Sequence, residues 1–167
     1  MTDAVLGQDG ILMIGRLRMR AAAGRGGVRL RKVEGDGATP AGLLPLRRVL
    51  YRADRVARPR VSVPVMPLAP QDGWCDDPAD AQYNRPVRLP FAARHEALWR
   101  SDALYDVIGV LGWNDDPVVQ GAGSAIFLHV ARPDWAPTEG CIALALPDLL
   151  ALLAAGVTGI EVPVPEG

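Results

Sequence analysis

Fifteen prolines and eighteen glycines are spread along 167 residues, and they restrict the chain to short regular elements. Pro70, Pro78, Pro86 and Pro90 alone break residues 70–90 into mostly loop, because proline removes a backbone donor and clashes inside a helix. What fits between such breaks is mainly strand. Ile11, Met13, Leu17 and Met19 alternate loosely over 10–34, and Val28 to Val33 alternates cleanly, with Gly24, Gly26 and Gly27 punctuating as a hairpin turn would. Leu43 to Val65 resumes in short strand-like pieces separated by Arg and Pro. Asp106–Trp113 and Ser124–Val130 read as buried strands, and Ile160–Val164 as a last one. A short helix is expected over 92–104. A better one runs from Pro147 to Ala155, with proline at its start, Leu149, Leu150, Leu152 and Leu153 on an apolar stripe, and Gly156 as stop. The expected fold is mainly β with one or two short helices, in one domain spanning 1–167 with its core at about 10–164.

The remaining composition excludes several function classes. Eighteen basic residues against nineteen acidic leave no charge surplus for nucleic acid, and Lys32 is the only lysine. Two cysteines, Cys75 and Cys141, cannot build a disulfide framework. With only His95 and His129 beside them they do not complete a zinc pattern. No apolar run is long enough to span a membrane. Met1 to Gly10 carries Asp3 and Asp9 with no basic region, and the apolar stretch at Ile11–Ile14 is four residues, so no secretion signal is readable. The Gly-rich loop at 34–42 lacks the ending of a phosphate-binding loop, and no helix follows it.

The informative segment runs from Gly123 to Leu146. His129 closes an apolar strand. A loop stiffened by Pro133 and Pro137 follows, and Thr138-Glu139-Gly140-Cys141 then opens onto a second apolar run and a helix. A cysteine nucleophile needs a base within reach, backbone N–H groups aimed at the developing oxyanion, and partial exposure. His129 offers the base. Gly140 lets the backbone approach a substrate closely. The opposing reading is a buried thiol acting as a small apolar residue in a cell-wall-binding or structural β domain.

These residues resemble the catalytic domain of YkuD-type L,D-transpeptidases, whose signature is a His on a strand followed by Ser/Thr-x-Gly-Cys. The match is carried by His129, Thr138, Gly140 and Cys141, by the Thr39-Pro40-Ala41-Gly42 loop, and by Trp74–Asp77, Tyr83–Arg85 and Gly123–His129. It covers about Gly10 to Val164. The resemblance implies a β-sandwich or open barrel whose cysteine loop leads into a helix. It implies Cys141 as nucleophile, His129 as general base and acid, and Gly140 as a backbone oxyanion donor. The reaction would be cross-linking of peptidoglycan stem peptides, donor and acceptor both containing diaminopimelate, through a cysteine thioester and with no metal or organic cofactor. The link would join position three to three or one to three, or water would make the enzyme an L,D-carboxypeptidase. A periplasmic or envelope address follows from that function, with a monomer expected. Thr138, Glu139, Arg132, Trp135 and Arg85 are the candidate substrate-binding residues. Glu139 departs from the pattern, which usually has a second His there. It is expected to point away from the thiol or to meet a cationic substrate group, since a nearby carboxylate disfavours thiolate. Cys75 is expected to be structural, and His95 a surface or helix-capping residue. The Asp76-Asp77 pair reads as loop structure.

Overall fold

The structure is a computed structural model, and it describes residues 2–166. Met1 and Gly167, the ends of the expected 1–167 span, lie outside the described residues. In chain order come β1 (Thr2–Leu6), β2 (Ile11–Ile14), β3 (Leu17–Ala22), β4 (Val28–Arg29), β5 (Thr39–Pro40), β6 (Gly42–Tyr51) and β7 (Val65–Pro67). They are followed by β8 (Asp72–Cys75), β9 (Pro86–Arg88), β10 (His95–Ala97), β11 (Val107–Leu111), β12 (Phe127–Val130), β13 (Ile142–Leu144), α1 (Leu146–Ala154) and β14 (Val157–Val162). The molecule is mainly β, with 38% strand and a single helix among the described residues, in agreement with the expected class.

Eight strands close into a barrel. β11, β12, β13, β3, β2, β1, β14 and β6 pair in that order, and β6 pairs back onto β11. Closure removes the open edges that would otherwise invite pairing with another chain. The length of β6 permits it: Gly42–Pro45 pairs with β14, and Leu46–Tyr51 with β11. Pro45 stands at the changeover, where a missing donor interrupts least, and its carbonyl accepts the Gly112 N–H at 2.7 Å. The short pieces expected between Leu43 and Val65 therefore begin as one ten-residue strand.

The barrel wall is apolar on both faces where the site lies. Val107 and Leu111 of β11 and Leu128 and Val130 of β12 face the barrel interior. Ile108, Val110 and Phe127 face outward into a second cluster with Trp74, Leu98 and Tyr105, beneath the small sheet β10-β8-β9. This double burial is why β11 reads as one unbroken apolar run. By alternation along β12, His129 shares the outward face with Phe127. The nine-residue α1 is too short to persist alone. It is held by Leu149, Leu152 and Leu153, buried in the barrel cluster at about 1.5–3 kcal/mol each.

Three local readings differ from the structure. Residues 92–104 contain β10 rather than a helix, because His95–Ala97 pairs with Gly73–Cys75 and backbone pairing there outweighs a short helical stretch. The clean alternation over Val28–Val33 yields only a two-residue strand. Leu30 and Val33 are exposed, so the pattern has no face to bury. Conversely, β1 joins β2 and β14 inside the barrel ahead of the point where strands were expected, with Ala4 and Leu6 buried.

Candidate active site

The parallel pairing of β12 with β13 brings the two halves of the site together. His129 stands opposite Ala143, two residues past Cys141, so thiol and imidazole reach the same outer face of the barrel. Both line a cleft of about 640 Å³ between the barrel wall and the small sheet.

The loop carrying Cys141 is fixed by its own backbone chemistry. Thr138 Oγ1 donates to the Cys141 carbonyl at 2.6 Å and accepts the Gly140 N–H at 3.1 Å. Thr39 Oγ1 donates to the Gly140 carbonyl at 2.9 Å and accepts the Gly24 N–H at 2.9 Å. Gly140 has φ +137°, and a Cβ there would lie 2.7 Å from the Ala38 carbonyl oxygen, so only glycine fits. The segment supplying Ala38 and Thr39 is set by a buried ion pair. Lys32 donates to Asp36 at 2.8 Å, and Asp36 also accepts the Val33 and Ala38 N–H groups. Burial works against the Asp36 charge, but these partners outweigh it and bring the carboxyl down to about 2.

The thiol is half-buried. It donates to the Ala125 carbonyl at 3.2 Å and accepts the Phe127 N–H at 3.4 Å; no hydrogen bond joins it to His129. Ala125 adopts φ +53°, a conformation costly for a residue with a Cβ, and Asn84 accepts its N–H at 3.0 Å. Asn84 also accepts Trp74 Nε1–H and donates to the Trp113 and Asn114 carbonyls, so its amide is fully used. Burial, reinforced by the negative charge of Glu96, pushes the Cys141 thiol up to about 12. The Phe127 N–H and Lys32 oppose that shift without overcoming it.

His129 is 5% exposed. Its Nδ1–H donates to the Val130 carbonyl at 2.9 Å, which leaves Nε2 as the unprotonated nitrogen. Burial pulls its pKa down to about 4; the Val130 bond pulls the other way, and Arg100 and Arg132 add to the depression. The resting pair is therefore a neutral thiol and a neutral imidazole.

The model of the YkuD L,D-transpeptidase catalytic domain matches residues 8–164. The chain belongs to that family. Searches of curated proteins and of solved structures returned no match. YkuD proteins are cysteine-dependent enzymes of the cell wall. In this YkuD domain no helix among the described residues is long and apolar enough to cross a membrane.

The other residues expected at this YkuD site are divided. Thr138, Glu139 and Arg132 line the cleft; Trp135 and Arg85 do not. Trp135 lies under the Arg20 guanidinium, 4.3 Å from ring centre to Cζ. Arg85 borders a separate pocket of about 250 Å³ with Arg47, Arg48 and Trp74. Glu139 points outward onto Arg25 at 2.9 Å, so the carboxylate acting on the thiol is Glu96 instead. Cys75 is buried in β8 as a free thiol, outside the cleft. His95 sits half-buried in β10, its Nδ1–H donating to the Ala93 carbonyl. Asp76 accepts from Arg94, and Asp77 from the Ala79 N–H.

Sequence reasoning missed Glu96, Tyr105, Arg100 and Glu34, which also line the cleft. Tyr105 packs edge-on against the His129 ring at 5.4 Å and donates to Glu96 at 2.6 Å. Glu34 accepts from Tyr83 and Ser124 at 2.7 and 2.6 Å. Nothing in the sequence marks them, because they lie far along the chain from the Cys141 loop, Glu34 in one stretch and Glu96, Arg100 and Tyr105 in another.

Proposed function

We propose that this protein cross-links peptidoglycan stem peptides, with Cys141 as nucleophile and His129 as general base and acid. One observation carries the reading: Cys141 opens on the same cleft as an imidazole whose Nδ1 is committed to Val130, leaving Nε2 free to take a proton. A donor stem binds, and the thiol turns from the Ala125 carbonyl toward the imidazole. Sγ attacks the carbonyl of the diaminopimelate residue at position three while its proton passes to Nε2. The Cys141 N–H holds the oxyanion, since the Gly140 N–H is taken up by Thr138. The C–N bond then breaks, the leaving amine takes the proton from His129, and a thioester remains. An amine from a second stem attacks the thioester and releases the thiol. The acceptor nitrogen can come from a residue at position three or at position one. Water in place of that amine makes the product a trimmed stem.

A thiol at about 12 beside an imidazole at about 4 does not ionise at rest. Substrate binding has to bring the groups together, which limits wasteful reaction of the free thiol. Intact-mass spectrometry after carbapenem treatment tests the reading, with a covalent adduct on Cys141 expected. Purified muropeptides incubated with the protein should yield cross-linked dimers. Dimers formed equally well by Cys141→Ala would sink the proposal.

A further inference from the structure

Seven charged side chains line the cleft: Glu34, Asp76, Arg94, Glu96, Arg100, Arg132 and Glu139. Five of them hold ionic partners. Asp76 and Glu34 share Arg94 at 3.2 and 3.9 Å, Arg100 holds Asp102 at 2.6 Å, and Glu139 holds Arg25 at 2.9 Å. Glu96 and Arg132 have no ion pair among the described residues.

The two unpaired charges are opposite in sign and act on different members of the reacting pair. Glu96 is the charged group that most opposes ionisation of Cys141, whereas Arg132 acts on His129. Glu96 is also held in place. It sits on β10, an edge strand of the small sheet, lines the cleft from there, and its Oε1 accepts the Tyr105 hydroxyl at 2.6 Å. No other hydrogen bond to its side chain occurs among the described residues. A half-buried carboxylate with one oxygen on a phenol and the other free faces a desolvation cost that a cationic ligand would offset.

We propose that Glu96 receives the ammonium group of the incoming acyl acceptor and takes the proton which that amine must lose before it attacks. The proposal rests on the acyl-transfer reading above and names a residue for its second half. The ammonium gives one proton to the Glu96 carboxylate, leaving a neutral amine and a carboxylic acid. The nitrogen attacks the thioester carbonyl, the C–N bond forms, and the C–S bond breaks. The second proton of the nitrogen travels through His129 to Sγ, and Glu96 returns its own to solvent. Burial raises the Glu96 carboxyl above the usual carboxylate range, which suits a group that must accept a proton. Its neutralisation also removes the charge that opposes a departing thiolate at Cys141.

The first test is a titration of the full chain with glycinamide, followed by amide NMR, with N-acetylglycinamide as the partner that lacks an ammonium group. Saturable shifts centred on Glu96 and Tyr105 are expected with glycinamide alone. In Glu96→Gln the affinity should fall about tenfold, the loss of one charge-assisted hydrogen bond. Equal shifts in wild type and Glu96→Gln, or none in wild type, would overturn the proposal. The second test measures how a preformed acyl-enzyme divides between glycinamide and water. The ratio of transfer to hydrolysis should drop about a hundredfold in Glu96→Gln, with part of it restored by Glu96→Asp; an unchanged ratio overturns the proposal as well. If wild type forms no acyl-enzyme, the transpeptidase reading falls, and the titration alone then decides the ammonium site.

Discussion

The two cysteines are both free thiols, and both are pushed above the ordinary thiol range chiefly by burial. They differ in what surrounds them. Cys75 is fully buried in β8, its sulfur 4.0 Å from Asp80, with Asp77 and Asp76 adding further negative charge. Cys141 is half-buried and opens on a cleft that also holds an imidazole, and the charge of the buried Lys32 favours its thiolate. A raised pKa therefore does not separate the thiol proposed as nucleophile from the other one in this molecule. Access to the cleft does, since Cys75 also has an imidazole, His95, opposite it in the β10–β8 ladder.

The sharpest way to break the comparison is to remove each thiol in turn. Cys141→Ala should lower cross-linking by about a thousandfold or more while the domain still folds. Cys75→Ala should keep most activity and cost about 1 kcal/mol of stability, read from a denaturant midpoint. If the two variants lost activity equally, the distinction would be lost.

His129 is the histidine of the cleft, and its burial has a pH signature. Its folded pKa of about 4 lies below the ordinary 6.5, so the unfolded chain binds more protons between these values. Stability should be fully present above pH 6.5 and be lost as pH falls through 4, by about 3 kcal/mol. Urea midpoints at pH 7 and pH 4 measure this, and His129→Gln should flatten the difference.

Gly140 sharpens the comparison at the backbone. Gly140→Ala meets the Ala38 carbonyl and a φ of +137°, and should cost about 2 kcal/mol with a clear loss of acylation. Thermal unfolding and adduct formation read the two effects separately. The mildest test uses iodoacetamide with peptide mapping. Alkylation of Cys141 should still be accelerating at pH 10, since its thiol is held near 12. Cys75 should react only when the protein unfolds.

Much of this site was legible in the chain itself. His129, Thr138, Gly140 and Cys141 lie within thirteen consecutive residues; the chemistry of that loop suggested them, and the resemblance to the family motif singled them out. The apolar runs of β11 and β12 and the leucine stripe of α1 were readable for the same reason: burial of a regular element leaves a periodic trace. Where the trace was absent or misleading, tertiary contact decided. Val28–Val33 alternates without a face to bury, and 92–104 became strand because β8 offered it backbone partners.

The sequence by itself determined a mainly β chain with one strong helix and a histidine and a cysteine separated by a single loop. Only the tertiary structure decided which charges surround that pair. It turned Glu139 outward onto Arg25, kept Arg85 and Trp135 out of the cleft, and set Glu96 and Tyr105 beside the thiol and the imidazole. The physical reason is range. Strand periodicity and loop chemistry act between near neighbours in sequence, whereas an electric field depends on distances that exist only once the barrel has closed and the small sheet has packed against it.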